Sequence, residues 1–367
     1  MRKTVAIFLV GAMMAMTFAG CGNSSSNGTS SGSGDTTAVT EAKNEEGGEQ
    51  TNVGAVSKIC TITDTGGIND QSFNQSVWEG LQQVSKDTGV EVSYLESKQT
   101  SEFITNMDKM IDAGNQLIWG NGYTVADATL EAAQLNLDVT FGVIDFAFSE
   151  APENVFGVTF RAQESSFLAG YVAGRTTTTD HVGFVGGQKS DTIDAFEWGY
   201  KAGVAYAGKE LGKEIQVDSQ YAETFADSAK GKAIANKMYN SGADVIFHAA
   251  GGTGLGVIEA AKEANKWVIG VDRDQAYLAP DNVLTSAMKN VNVAVIDLST
   301  KMFNGEQIGG QNYEYGLADG SVGLAEGHDN IDDKVYEDTM KLQEELKAGN
   351  ITAPANEEEY NSYVSSL

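Results

Sequence analysis

Residues 61–80 read T-I-T-D-T-G-G-I-N-D-Q-S-F-N-Q-S-V-W-E-G, and they say more about the fold than any other part of the chain. An apolar, β-branched segment stops at Asp64, two glycines and a polar loop follow, and a helix is predicted to begin near Ser72. A strand that delivers an acid, a pliable loop and a helix start to one place is typical of a small-molecule site. The alternative is a strand followed by a simple helix cap, which many α/β domains contain.

Short β-rich segments alternate with helical segments over almost the whole of 55–367. The predicted strands are 56–63, 90–95, 116–119, 139–144, 155–159, 182–185, 215–221, 245–248, 267–271 and 283–287. The predicted helices include 226–240, 255–264 and 291–303. This alternation predicts βαβ units and parallel sheets with both faces covered. Because ten strands are many for one sheet and the pattern breaks near 160–167, we expect an α/β protein of two similar lobes with a cleft between them.

The predicted strand ends collect acids, glycines and a lysine, and the helices that follow carry two phenylalanines. The side chains concerned are Asp64, Asp145, Asp272, Lys289, Phe73 and Phe196. In open parallel sheets the carboxyl ends of the strands face the ligand, so these residues are expected to converge at the cleft. Carboxylates accept hydrogen bonds from hydroxyls, and phenylalanine stacks on flat rings. The set therefore predicts a polyhydroxylated ligand that carries a flat ring.

These residues resemble a known family, the basic membrane lipoprotein family of solute-binding proteins, which is typified by purine nucleoside receptor A. The resemblance is carried by the following segments: D-T-G-G-I-N-D-Q-S-F-N-Q-S-V-W-E-G at 64–80, G-V-I-D at 142–145, S-F-L-A-G-Y-V-A-G at 166–174, F-E-W-G-Y-K-A-G at 196–203, A-A-G-G-T-G-L-G at 249–256, G-V-D-R-D-Q at 270–275 and A-M-K-N at 287–290. It implies a type I periplasmic binding protein: two Rossmann-like lobes, a hinge of several crossovers, and closure over a nucleoside. It also implies permease and ATPase partners in an ABC importer.

The resemblance assigns three charged residues to the ribose. Asp64 and Asp272 would accept its hydroxyls, and Lys289 would assist. A buried carboxylate that accepts from a hydroxyl also rejects deoxy analogues, because the carboxylate would then stay unpaired.

The resemblance assigns five residues to the base. Phe73 and Phe196 would sandwich it from opposite lobes, Asn74 and Asp145 would read its edge, and Gly252 would present backbone to it. A ligand gripped from both sides stabilises the closed state, because it binds that state more tightly than the open one.

The N-terminus predicts the compartment. Arg2 and Lys3 precede an apolar segment at 5–18, and small residues then lead to Cys21. This pattern resembles a lipoprotein signal peptide over 1–20, with Cys21 lipidated as the first mature residue. The alternative is a plain secretory signal that is cleaved elsewhere. Residues 21–54 are poor in large hydrophobic side chains and are expected to form a disordered tether to the outer face of a membrane.

The remaining chain is expected to divide into two lobes and a tail. The N-terminal lobe is predicted to comprise 55–160 and about 290–310, and the C-terminal lobe 161–289 and about 311–330. Residues 331–367 are expected to form a C-terminal helix and tail.

Composition narrows the partners. The formal charge is -27, and a chain this acidic repels nucleic acid. We also expect the protein to be a monomer. With Cys21 acylated, Cys60 has no cysteine to pair with. No cofactor and no metal are predicted. The acidic cluster at 329–333 could suggest calcium, but Asn330 or Asp332 is expected to cap a helix that begins near Val335.

Two enzyme classes match parts of the sequence poorly. D-T-G at 64–66 and 87–89 imitates aspartic proteases, but those need one such turn in each of two all-β halves. G-T-G-L-G at 252–256 imitates a dinucleotide fingerprint with its third glycine misplaced. Of the histidines, only His248, near a strand end, is a candidate to touch a ligand. The protein is therefore expected to bind its ligand without transforming it.

Other ligands on the same fold stay open. Type I binding proteins also take sugars and autoinducers, and a sugar could stack on Tyr123 or on the tryptophans. An α-amino acid or a nucleotide would need more cationic groups than the one lysine at the predicted strand ends.

Overall fold

The β-rich segments of the chain form two six-stranded sheets in the computed structural model, which describes residues 56–367. The strands are β1 (Lys58–Ile62), β2 (Glu91–Leu95), β3 (Leu117–Gly120), β4 (Thr140–Ile144), β5 (Val155–Phe160), β6 (His181–Gly186), β7 (Gln216–Tyr221), β8 (Val245–Ala249), β9 (Trp267–Asp272), β10 (Val283–Lys289), β11 (Gln311–Tyr315) and β12 (Val322–Leu324). The predicted signal peptide, Cys21 and tether lie outside the described residues.

Helices cover both faces of the sheets. They are α1 (Phe73–Thr88), α2 (Phe103–Asp112), α3 (Ala126–Leu135), α4 (Ala162–Thr176), α5 (Asp191–Leu211), α6 (Ser228–Asn240), α7 (Gly254–Ala264), α8 (Val291–Phe303), α9 (Asp333–Lys347) and α10 (Glu357–Ser366). Within the described residues, no helix is both long and apolar enough to cross a membrane.

The two sheets share one topology. The strand orders are β11-β5-β4-β3-β1-β2 and β12-β10-β9-β8-β6-β7. The strands pair in parallel except β12, which runs antiparallel to β10. Central strands such as β3 and β8 are buried along their whole length, as expected of parallel strands covered on both faces. The predicted α/β class with two Rossmann-like lobes is confirmed.

The chain passes between the lobes three times. It leaves the first lobe after β5, returns to it from β10 into α8, which packs on α1, and crosses again between β11 and β12. This is the multi-crossover hinge that the resemblance implied. Because three connections restrain the two lobes, their main freedom is hinge opening of the cleft.

The predicted assignment of residues after 310 to the C-terminal lobe is wrong for β11. This strand extends the first sheet by pairing in parallel with β5. Its side chains explain the preference, since the ring of Tyr315 stacks on Phe160 and that of Tyr313 packs edge-on against Phe156. The second lobe resumes at β12.

Two glycine-rich segments of the family pattern serve helix packing. On α4, a Cβ atom added to Gly170 would lie 2.0 Å from the carbonyl oxygen of Tyr200. On α5, a Cβ added to Gly203 would lie 1.9 Å from the carbonyl oxygen of Phe167. The two helices therefore pack backbone to backbone, and larger residues would force them apart.

The acidic segment at 329–333 is part of a helix start. The Asp332 side chain accepts from the amides of Lys334 and Val335 and so caps α9, as predicted for one of two candidates. The other candidate, Asn330, donates instead to the carbonyl oxygens of Pro280 and Val283. Over 56–367, no group of three or more His, Cys, Asp or Glu side chains is arranged to hold a metal ion.

Candidate ligand-binding site

A cavity lies between the lobes at the carboxyl ends of their strands. The empty space between its lining atoms, including the part that is open to solvent, is about 560 Å³. Its lining includes these predicted site residues: Asp64, Phe73, Asn74, Asp145, Phe196, Asp272 and Lys289. The structure thus brings together side chains that are more than 200 positions apart in the sequence.

Asp64 is held by a network behind the cavity. Its Oδ1 accepts from the amide of Gly66 at 2.8 Å and from Asn74 Nδ2 at 2.7 Å. Burial, with smaller contributions from nearby acids, raises the pKa of Asp64 above its usual range. The Asn74 Oδ1 accepts in turn from Asn121 Nδ2 at 3.0 Å. Because this network occupies the Asn74 amide, Asn74 is better placed to orient Asp64 than to read a ligand.

Asp70 lines the cavity and was missed by the sequence reasoning. Its carboxylate accepts from the amides of Ser72, Asn74 and Gln75 at 2.8–3.1 Å, at the N-terminus of α1. Burial raises its pKa to about 6, although these hydrogen bonds oppose the shift. An acid shortly before a helix start is a capping signal that could have identified it.

Lys289 joins the lobes at the centre of the site. This lysine, only 2% exposed, comes from β10 of the second lobe. Its Nζ donates to Asp145 Oδ2 of the first lobe at 2.6 Å and lies 3.8 Å from Asp272 Oδ1. Ser72 Oγ, from the first lobe, donates to Asp272 Oδ2. Burial raises the pKa of Asp272 to about 6, against the opposing effect of Lys289.

Aromatic rings from both lobes surround the same lysine. Lys289 Nζ lies 4.7 Å from the centroid of the Phe73 ring and 5.7 Å from that of Phe196. Phe196 is 1% exposed and packs 6.1 Å from Phe247, so it also belongs to the core of its lobe. Tyr123, considered above only for sugars, lines the cavity as well.

Two residues singled out in the sequence lie outside the cavity lining. Gly251, and not Gly252, lines the cavity, while a Cβ on Gly252 would approach the carbonyl oxygen of Phe225 at 3.2 Å. His248 does not line the cavity either, because its ring is fully buried against Gly254, and this burial lowers its pKa to about 4.

The segment that imitates a dinucleotide fingerprint is a packing feature. A Cβ atom on Gly256 would lie 1.7 Å from the carbonyl oxygen of Ser228 at the start of α6. The glycine therefore lets α7 approach α6 closely, which accounts for it without a phosphate ligand.

Two lobes, three crossovers and an enclosed interlobe cavity lined by acids and aromatic rings define a hinged small-molecule-binding protein. Comparison with known proteins gives the particular family. The model of the family described as "ABC transporter substrate-binding protein PnrA-like" matches residues 57–357, and the chain belongs to that family.

Several relatives are similar over most of their length. The chain is 41% identical to the "CD4+ T-cell-stimulating antigen" of Listeria monocytogenes over 317 residues, covering 81% of this chain and 87% of that protein. It is 40% identical to the "ABC transporter nucleoside-binding protein BmpA" of Lactococcus lactis, covering 81% and 89%. It is 38% identical to "Basic membrane protein A" of Borreliella burgdorferi, covering 84% and 91%.

A solved structure supports the fold. An ABC transporter solute-binding protein from Aeropyrum pernix aligns with a TM-score of 0.76 at 24% identity, covering 84% of this chain and 96% of that one. The chain is thus a substrate-binding component of an ABC transporter. Such a component implies permease and ATPase partners and receives its ligand on the extracytoplasmic side.

Proposed function

We propose that the protein captures a purine nucleoside outside the membrane and delivers it to an ABC importer without chemical change. The observation that carries this proposal is the pairing of buried acids with a phenylalanine from each lobe around one cavity. A relative named as nucleoside-binding, at 40% identity, supports the same ligand class.

In the proposed complex, the ribose lies at the acidic side of the cavity. Asp64 and Asp272 accept its hydroxyls, and Lys289, 3.8 Å from Asp272 Oδ1, donates to it. Supporting this, the Asn74 network fixes one oxygen of Asp64, and Oδ2 lies on the side of Gly122, another cavity residue. A hydroxyl that donates to a buried carboxylate satisfies a group that is costly to leave unpaired.

The base lies between the two rings in this proposal. Phe73 and Phe196 contribute stacking from opposite lobes, and each ring has a face near Lys289. Asp145 reads the base edge, Gly251 takes the backbone role first assigned to Gly252, and Asn74 orients Asp64.

The placement in the cell is part of the same proposal. Residues 1–20 act as a lipoprotein signal peptide, Cys21 carries the lipid anchor, and 21–54 tether a monomeric binding domain. Acids dominate the cavity, so a nucleotide is disfavoured, since its phosphate would meet these carboxylates with only Lys289 to compensate.

A thermal-shift panel tests the ligand class. Guanosine, inosine, adenosine, cytidine, guanine, ribose and guanosine monophosphate are added separately to the full-length protein. A bound ligand at 100 times its Kd stabilises the folded state by about 2.7 kcal/mol. We expect the purine nucleosides to raise Tm and ribose or the nucleotide to leave it unchanged. An equal effect of ribose would assign the site to a sugar, and no response to any nucleoside would refute the proposal.

A further inference from the structure

A short segment of the second lobe reaches across to the first lobe beside the cavity. Within 273–277, Arg273 Nη1 lies 3.1 Å from Glu79 Oε1, and Gln275 Nε2 donates to the carbonyl oxygen of Gln71 at 3.0 Å. The hydroxyl of Tyr277 donates to Gln71 Oε1. Gln71, Glu79, Arg273, Gln275 and Tyr277 do not line the cavity, so their contacts join the lobes without occupying the ligand's space.

Gln275 is built into its own lobe as firmly as a core residue. It is 0% exposed, its Oε1 accepts from the amide of Val271 at 3.0 Å, and its own amide donates to Ser286 Oγ at 3.1 Å. A Cβ atom on Gly270 would lie 2.6 Å from Gln275 Oε1, so glycine is needed there to seat the side chain. The amide nitrogen that remains points to the other lobe.

Gln71 presents the matching acceptor. Its φ is 55°, in the left-handed region that side chains with a Cβ rarely adopt. This conformation gives its carbonyl oxygen to Gln275 and its side chain to Tyr277. Gln71 immediately precedes Ser72, whose hydroxyl donates a hydrogen bond to Asp272, and Phe73, which lines the cavity. Opening the cleft would leave the buried Gln275 Nε2 without this partner, which is unfavourable.

We propose that Gln71, Glu79, Arg273, Gln275 and Tyr277 form an interlobe clasp that sets the population of the closed state. Gln275 is a positioning residue in it. Because the observed affinity scales with the closed fraction, the clasp tunes affinity without contributing to ligand selectivity. The effect on affinity rests on the proposed function; the effect on closure does not.

Hydrogen exchange of the full-length, ligand-free protein tests closure directly. Gln275→Glu keeps the shape of the side chain but sets a carboxylate against the carbonyl oxygen of Gln71. We expect peptides over 68–75 and 270–277 to exchange about tenfold faster, while those over β3 and β8 do not change. The matched control is Gln134→Glu on the exposed surface of α3, which makes the same charge change and should leave both segments as in wild type. Unchanged exchange in Gln275→Glu would overturn the proposal.

Calorimetric titration with guanosine and inosine tests the link to affinity. Gln275→Glu should weaken both by about 10- to 100-fold and preserve the ratio between them. A changed ratio would place Gln275 in contact with the ligand and overturn the clasp.

If Gln275→Glu lowers Tm so far that it does not fold, Tyr277→Phe decides instead. It removes one hydroxyl from a half-exposed ring and should weaken binding about two- to fivefold with faster exchange at 68–75. If the wild-type protein binds no nucleoside, only the proposed function is refuted. The hydrogen-exchange experiment still tests whether the clasp holds the lobes closed.

Discussion

The two lobes line the cavity with equivalent strands and helices. β4 and β9 hold equivalent places in their sheets, and each delivers an aspartate with a positive φ, 62° at Asp145 and 64° at Asp272. The helices α1 and α5 correspond in the same way, and each carries a cavity phenylalanine near its start. Left-handed backbone is uncommon for residues other than glycine. Its repetition at matched positions shows that both lobes turn a carboxylate toward the same cavity in the same way.

The lobes differ in charge. The first lobe lines the cavity with Asp64, Asp70 and Asp145, whereas the second contributes Asp272 and Lys289, the one lysine among the described lining residues. The ion pair between Lys289 and Asp145 therefore exists only when the lobes are together. Neither lobe is therefore a complete site, and closure pairs the lysine of the second lobe with an acid of the first.

The largest effect is expected from removing the acid of the second lobe. Asp272→Ala should weaken guanosine binding at least about 100-fold, because ribose hydroxyls, Lys289 and Ser72 would all lose an acceptor. Calorimetry measures this, and circular dichroism should show the fold intact. Asp281→Ala, an exposed acid of the same lobe, is the control and should bind normally. Unchanged affinity in Asp272→Ala would refute the ribose role.

The next effect concerns the ion pair between the lobes. Lys289→Met leaves Asp145 buried without its partner, and we expect guanosine affinity to fall by about 2–3 kcal/mol. Combined with Asp145→Asn, the loss should be smaller than the sum of the two single losses, with a coupling of about 1 kcal/mol or more. Lys262→Met on the exposed face of α7 serves as the control. Additive losses would show that the pair does not couple the lobes.

The two cavity phenylalanines are expected to differ in what they do for stability. Phe73→Ala and Phe196→Ala should each cost about 1–3 kcal/mol in guanosine binding by calorimetry. Only Phe196→Ala should also destabilise the ligand-free protein strongly, by about 3–5 kcal/mol in chemical unfolding, because that ring is buried in its lobe's core. If free ribose lost as much affinity as guanosine did, the rings would be stacking on a sugar and not on a base.

The smallest effect on guanosine affinity is expected from pH. Two buried acids, Asp70 and Asp272, have a pKa of about 6 and would change their charge near that pH. Since the unfolded pKa is about 3.9, these groups make the ligand-free protein less stable as pH rises from 4 to 6. Guanosine affinity should move the opposite way, because ionised Asp272 is the better hydroxyl acceptor. Asp272→Asn should flatten part of the stability profile in chemical unfolding. A stability profile identical to wild type would show that Asp272 ionises normally.

The sequence was sufficient for the fold wherever apolar periodicity is strong. The strands from β1 to β10 were all predicted within a few residues, including the partly exposed edge strands β2 and β7. β11 and β12 were missed because β11, Q-N-Y-E-Y, is a polar edge strand and β12 has only three residues. The same omission misplaced the boundary between the lobes after 310, since only pairing with β5 shows where β11 belongs.

The site was predictable where a strand end determines the direction of a side chain. Asp64, Asp145 and Asp272 follow buried strands, and their convergence follows from topology. The supporting role of Gln275 was not predictable, because only the folded loops bring its partners near: the amide of Val271, the hydroxyl of Ser286 and the carbonyl oxygen of Gln71. Gly251 could not be told from Gly252, since one residue of helical turn decides which faces the cavity.

A crystal structure of the protein grown with guanosine would show whether the two lobes close over a nucleoside. We expect one nucleoside between the lobes, with its base between Phe73 and Phe196 and its ribose within hydrogen-bond distance of Asp64 and Asp272. Guanosine bound elsewhere, or an interlobe cavity closed by side chains in its presence, would contradict this expectation.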